Sequence, residues 1–142
     1  MRLVKVGLYA LLFVSFFSFA TIEVTDAKAR ATFAMAKTGA AYLTITNKGI
    51  NADVLERVTV ASTVAKTVEI HTVLMDGEMM RMQALSEGLS LPPKNTVTMQ
   101  PGGIHLMLLE LVSPLTEGDE IVLTLHFKDA EPKALRVPVV KM

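Results

Sequence analysis

The sequence predicts an all-β protein, an antiparallel β-sandwich or small barrel, and three observations carry that expectation. Short runs rich in β-branched residues recur along the chain, several alternating apolar and polar positions. Turn-forming residues punctuate them at short intervals. Finally, no amphipathic stretch of ten or more residues has convincing helical periodicity.

In chain order, "MRLVKVGLYALLFVSFFSFA" comes first. Arg2 and Lys5 give a positive start, residues 8–17 are apolar, and Ser18-Phe19-Ala20 offers the small residues that a signal peptidase reads. The apolar run is short of the roughly 20 residues a membrane span needs. The expectation is a secretory signal peptide over residues 1–20, cleaved near Ala20, with an uncleaved anchor as the minor alternative. No cysteine is available for lipid attachment of the bacterial lipoprotein kind. Residues 21–142 then form a single domain, long enough to bury a real core.

Within that domain, residues 27–38 offer at most a turn of helix, interrupted by Thr and Phe. Strand-like runs follow at "AAYLTITN" (40–47), "VLERVTVA" (54–61), "KTVEIHTVL" (66–74), "NTVTMQ" (95–100), "GIHLMLLEL" (103–111), "EIVLTLHF" (120–127) and "ALRVPVVK" (134–141). Asn47-Lys48-Gly49, Asp76-Gly77, Pro92-Pro93, Pro101-Gly102-Gly103 and Glu117-Gly118-Asp119 separate them. Seven or so short strands in this length indicate a sandwich or barrel.

Composition narrows the function. Without Arg2 and Lys5 the charges are 12 basic against 14 acidic, a balance of −2, which gives no basic nucleic-acid surface. Eight aromatic residues, none of them Trp, make stacking platforms for bases or sugars improbable. The absence of cysteine excludes thiol chemistry and the thiolate-dependent blue-copper centre. An enzyme is the least supported class: Ser113, His126 and Asp129 lack any nucleophile motif around them.

Methionine is the unusual component, nine in 142 residues, and "EIHTVLMDGEMMRMQ" (69–83) holds four of them. Asp-Gly between two strand-like runs is a strong hairpin signal. With Asp76-Gly77 as the loop, Met75 faces Glu78 and, counting outward, His71 faces Met82. Directly opposed residues have Cβ atoms roughly 4.5–5.5 Å apart. Met75 and Met80 share that face and Met79 points to the other. A bulge would turn Met82 away from His71.

In "PGGIHLMLLEL", His105 and Met107 are two apart on a strand and project from one face. Ile104, Leu106 and Leu108 then form the core side, which leaves His105 and Met107 at or near a surface or loop end. Two imidazoles with two or more thioethers suit a soft ion, copper(I) above all. Zinc would prefer cysteine or carboxylate partners, and calcium a run of oxygen ligands. Thioethers also stay usable in an oxidising compartment. Taken singly, each methionine reads more readily as packing. His126 reads as structural or surface, Met35 and Met99 as packing or surface, and Met75, Met79 and Met80 as hairpin side chains or auxiliary ligands.

The arrangement His71-x10-Met82-x22-His105-x-Met107 resembles the signature of the periplasmic copper chaperones called PCuAC, formerly a domain of unknown function. "DAKARAT", "GAAYLTITNKG", "VEIHTVLMDGEMMRM" and "PGGIHLMLLEL" each resemble blocks of that family, so the resemblance covers essentially residues 21–140. It implies a cupredoxin-like or Ig-like antiparallel β-sandwich that binds copper(I) through His71, Met82, His105 and Met107. It also implies delivery toward the CuA centre of cytochrome c oxidase, with the CuA subunit or a Sco-like protein as partner. Two positions depart from the pattern. Lys28 stands where a Trp is expected, and the second spacer is 22 where the family pattern is usually written with 21. The chain stops at Lys141-Met142, without the His- and Met-rich tail that adds a copper(II) site in some relatives.

The functional expectation is therefore a periplasmic, non-enzymatic, monomeric carrier that holds copper(I) and passes it on by ligand exchange. It involves no nucleic acid and no membrane insertion after signal cleavage. An exported interaction module without metal, or a periplasmic copper buffer for resistance, are the alternatives.

Overall fold

The computed structural model describes residues 21–142, so the expected signal peptide lies outside the described residues. Ten strands follow one another: β1 (Ile22–Arg30), β2 (Thr38–Asn47), β3 (Asp53–Val60), β4 (Ala65–Asp76), β5 (Met79–Ala84), β6 (Leu89–Leu91), β7 (Thr96–Thr98), β8 (His105–Leu111), β9 (Glu120–Phe127) and β10 (Lys133–Val140). There is no helix among the described residues, and none long and apolar enough to cross a membrane.

Hydrogen bonding runs in one path, β5-β4-β8-β2-β1-β10-β9-β3-β6, with β7 on β2. All pairings are antiparallel except β1 with β10, which meet in parallel at Ala29↔Val139 and Arg30↔Val140. That short seam joins two halves whose inner faces share a core. Leu43, Ile45, Leu106 and Leu108 come from one half, and Leu55, Leu123, Leu125 and Val137 from the other. All eight are essentially inaccessible to solvent. Burying a side chain of this size contributes about 1.5–3 kcal/mol, which makes this layer the main source of stability. The architecture is the cupredoxin-like, Ig-like β-sandwich expected from the sequence.

β1 departs from the sequence reading, which placed no strand there and a turn of helix over residues 27–38. The strand carries a bulge between Thr25 and Lys28, with Asp26 at φ 54°. Before the bulge Ile22 faces the core, and after it Ala29 does, an odd separation that breaks the period-2 pattern. Residues 31–37 form an irregular connection instead of a helix. Lys28, at the expected Trp position, is exposed and paired with Tyr42 across the ladder. Its charge stays in water.

β4 is the longest strand, and it outruns its neighbour. Its pairing with β8 ends at His71↔His105, whereas its pairing with β5 continues to Asp76↔Met79. Residues beyond His71 therefore form a protruding hairpin, and every residue of β5 is exposed. Its loop is Gly77-Glu78, one residue later than the sequence suggested. Only Gly77 takes positive φ, at 64°, as a type II′ turn requires. His71 accordingly faces Ala84, and Met82 faces Val73. Moving the loop by one residue shifts cross-strand partners by two. Met82 therefore remains on the His71 face, displaced two pairs toward the tip.

Candidate metal centre

The two histidines sit side by side at the end of the β4–β8 ladder. His71 and His105 are Cα partners, and their ring centroids lie 5.7 Å apart with a 50° tilt. The turn before β8 fixes His105. Gly102 takes φ 80°, the Gly103 N–H donates to the Gln100 carbonyl at 3.0 Å, and the Gln100 N–H donates to the Ile104 carbonyl at 3.0 Å. This closed turn presents the Gly103 carbonyl to His105, whose Nδ1–H donates to it at 2.9 Å. The remaining nitrogen, Nε2, then carries the lone pair. Sequence reasoning placed His105 at a surface or loop end. It is in fact 7% exposed, because β2 and β4 flank β8 on both sides.

His71 is held the opposite way round. Its Nε2–H donates to the Glu69 carboxylate at 2.7 Å, two residues earlier on the same face of β4. Its Nδ1 is buried and has no hydrogen-bond partner. A buried nitrogen left without a partner costs about 1–3 kcal/mol, so this orphan lone pair calls for an explanation. Imidazoles that bind metals characteristically donate one N–H to a carboxylate or backbone carbonyl and keep the other nitrogen for the ion. Both histidines show that pattern, one through each kind of acceptor.

Met107 sits two pairs further along β8, on the same face, between Ala40 on β2 and Glu69 on β4. The small Ala40 leaves space above the sheet. Met82 reaches the same region from the hairpin. A cleft of about 600 Å³ is lined by Met82, His105 and Met107 together with Val73, Tyr42 and Phe33. His71 does not line this cleft and stands beside it, next to the His105 ring. The structure thus brings three of the four sequence-derived residues to one cavity and the fourth to its edge. No group of three His, Asp or Glu able to hold a metal occurs among the described residues, so an ion here would depend on the thioethers.

Other residues fall elsewhere. His126 lies on β9, its Nε2 within 3.0 Å of the Thr59 hydroxyl. Met99 is buried in the core, and Met35 is exposed. Two features escaped sequence reasoning: Glu69 and the Gly103 carbonyl. A Glu two residues before a histidine on one strand is a signal that alternation alone could have supplied for the first. The second depends on how the turn folds.

Comparison with known proteins follows the same lines. Residues 22–139 match the family described as "Putative lipoprotein LpqE-like". A putative lipoprotein of Leifsonia xyli subsp. xyli is 33% identical over 78 residues, covering 55% of this chain. The match spans 47% of that relative, about half its length. Among solved structures, the copper-bound PCuAC domain from PmoF2 superposes with a TM-score of 0.70 at 22% identity, covering 86% of this chain and 94% of that one; it shows the fold. The copper(I) form of DR1885 from Deinococcus radiodurans gives 0.65 at 29% identity, covering 81% and 75%. The profile match over nearly all of the described residues establishes that the chain belongs to the LpqE-like family, and the kinship with PCuAC proteins first visible in its motifs holds.

Proposed function

We propose that the protein is an exported, periplasmic copper(I) chaperone, with His71, Met82, His105 and Met107 as the ligands of its cargo. The observation that carries this reading is the pair of free imidazole nitrogens, His71 Nδ1 and His105 Nε2. Each is set by a hydrogen bond on the opposite side of its ring, beside a cleft lined by two thioethers. Neutral imidazole and thioether donors match a soft monovalent ion. The names of the structural relatives, copper-bound and copper(I)-bound, support the same cargo.

The residues divide the work. Glu69 and the Gly103 carbonyl orient the imidazoles, and Met82 and Met107 supply polarizable sulfur. Leu106 and Leu108 anchor the supporting strand in the core. Met82 is 57% exposed at the base of a protruding hairpin, so a partner's ligands can approach the ion from that side. Ligand exchange with an acceptor then proceeds without free copper being released. We place the acceptor at the CuA subunit of cytochrome c oxidase or a Sco-like protein.

The test is an anaerobic copper(I) titration against a competing chelator, comparing the protein with Met82→Ala and His105→Ala. Loss of one tight equivalent in both variants supports the site, and unchanged stoichiometry and affinity rejects it. A metal-free interaction module is the second reading, favoured by exposed Phe33, Met35 and the hairpin methionines. It requires binding behaviour that survives His71→Ala and His105→Ala.

A further inference from the structure

The hairpin carries more methionine than the proposed centre uses. Met75, Met79 and Met80 are 65%, 63% and 64% exposed, whereas Met99 is buried at 4% in the manner of an ordinary packing residue. Core filling therefore does not account for the three. Met75 and Met80 are direct cross-strand partners. Alternation puts them on the face of His71, Val73 and Met82, two pairs beyond Val73↔Met82 toward the tip. Cross-strand partners on one face have Cβ atoms roughly 4.5–5.5 Å apart, and the next pair on that face, two residues along, lies about 7 Å away. Met75, Met80 and Met82 thus form a triangle of flexible thioethers leading from the tip to the cleft. Met79 pairs with Asp76 on the opposite face and is excluded from it.

We infer that Met75, Met80 and Met82 form an outer, all-thioether capture site for a soft monovalent cation, which Met82 shares with the inner centre. This rests on the reading of that centre as a copper(I) site. Three neutral sulfur ligands on an exposed hairpin hold the ion more weakly than a cluster containing two imidazoles. Being common to both, Met82 lets the ion move inward by exchanging Met75 and Met80 for Met107 and the imidazoles. No electron or proton is transferred in that step.

The test uses the protein with its methionine methyl groups ¹³C-labelled, titrated anaerobically with copper(I). The expected result is one tight equivalent that moves the methyl signals of Met82 and Met107. With Met82 engaged by the first ion, a second, weaker equivalent held by Met75 and Met80 alone then moves their signals and leaves Met79 in place. Met75→Leu/Met80→Leu, which keeps the apolar bulk, should lose only the weaker equivalent, and Met79→Leu should keep both. Still signals from Met75 and Met80, or a weaker equivalent lost equally in Met79→Leu, would overturn the inference. His105→Ala separates the two sites. If the outer site is real, Met75 and Met80 still respond in this variant. If only the inner reading is wrong, His105→Ala leaves the tight equivalent intact.

Discussion

His71 and His105 are cross-strand partners with rings 5.7 Å apart, yet only one of them has both nitrogens accounted for by a bond or an open cleft. His105 donates Nδ1–H to Gly103 and borders the cavity, whereas His71 buries Nδ1 with no partner. The ladder that aligns them thereby assigns them opposite effects on the metal-free fold.

Replacement by leucine should expose that difference. His71→Leu removes a desolvated, unpaired nitrogen and keeps apolar bulk, although it gives up the bond to the half-exposed Glu69. A net gain of about 1 kcal/mol is expected, or roughly 3–5 °C in melting temperature for a domain of this size. His105→Leu gives up a made hydrogen bond and should lower stability by about 1 kcal/mol. Thermal unfolding of the metal-free variants checks both signs; equal shifts in one direction would count against the assignment.

Copper(I) itself should stabilise the fold by mass action. At a free concentration 100 times the dissociation constant, one site adds about 2.7 kcal/mol. The increase should vanish in His71→Leu, even though that variant starts from the higher melting temperature. Such a trade between stability and binding is what an unsatisfied functional group produces. Scanning calorimetry with and without copper(I), under anaerobic conditions, measures it.

The sandwich was legible because its inner faces obey simple alternation, as in Ile104, Leu106 and Leu108 opposite His105 and Met107. Strand β1 was not, since the Asp26 bulge reverses its phase midway. The hairpin was legible in kind but not in register. Asp-Gly signals a two-residue loop, but a type II′ turn puts glycine first and so displaces the loop to Gly77-Glu78. The face of Met82 survived because that displacement moves partners by an even number. Burial of His105 depends on β2 and β4 closing over β8 from 30 or more residues away, which local pattern does not encode.

The loop register gives a separable prediction. A Cβ at Gly77 meets nothing within 4 Å, so the cost of Gly77→Val lies mainly in the positive φ. A β-branched residue there should cost about 1–2 kcal/mol, and Gly77→Asn much less. Because the hairpin projects beyond β8, the loss should appear as local opening. Amides of Arg81 and Gln83, which donate across the β4–β5 ladder, should exchange faster, while those of Leu106 and Leu123 keep their protection.

Glu69 offers the most specific test of how the site is held. Its carboxylate lies 2.7 Å from His71 Nε2, and its backbone position pairs with Met107, so it joins one proposed ligand to the row of another. Removing an outer partner of a metal-bound histidine typically costs 10–100-fold in affinity. Glu69→Ala should therefore weaken copper(I) binding by about that factor while leaving one equivalent bound. Glu69→Gln keeps an oxygen acceptor for Nε2–H and should recover most of the loss. ¹⁵N shifts of the His71 ring in the metal-free protein provide the readout that a merely structural role would not move. Protonation at Nε2 should dominate with Glu or Gln at position 69 and give way to mixed tautomers with Ala. If Glu69→Ala binds copper(I) as tightly as the unmodified protein and the His71 tautomer is unchanged, Glu69 does not position the ligand.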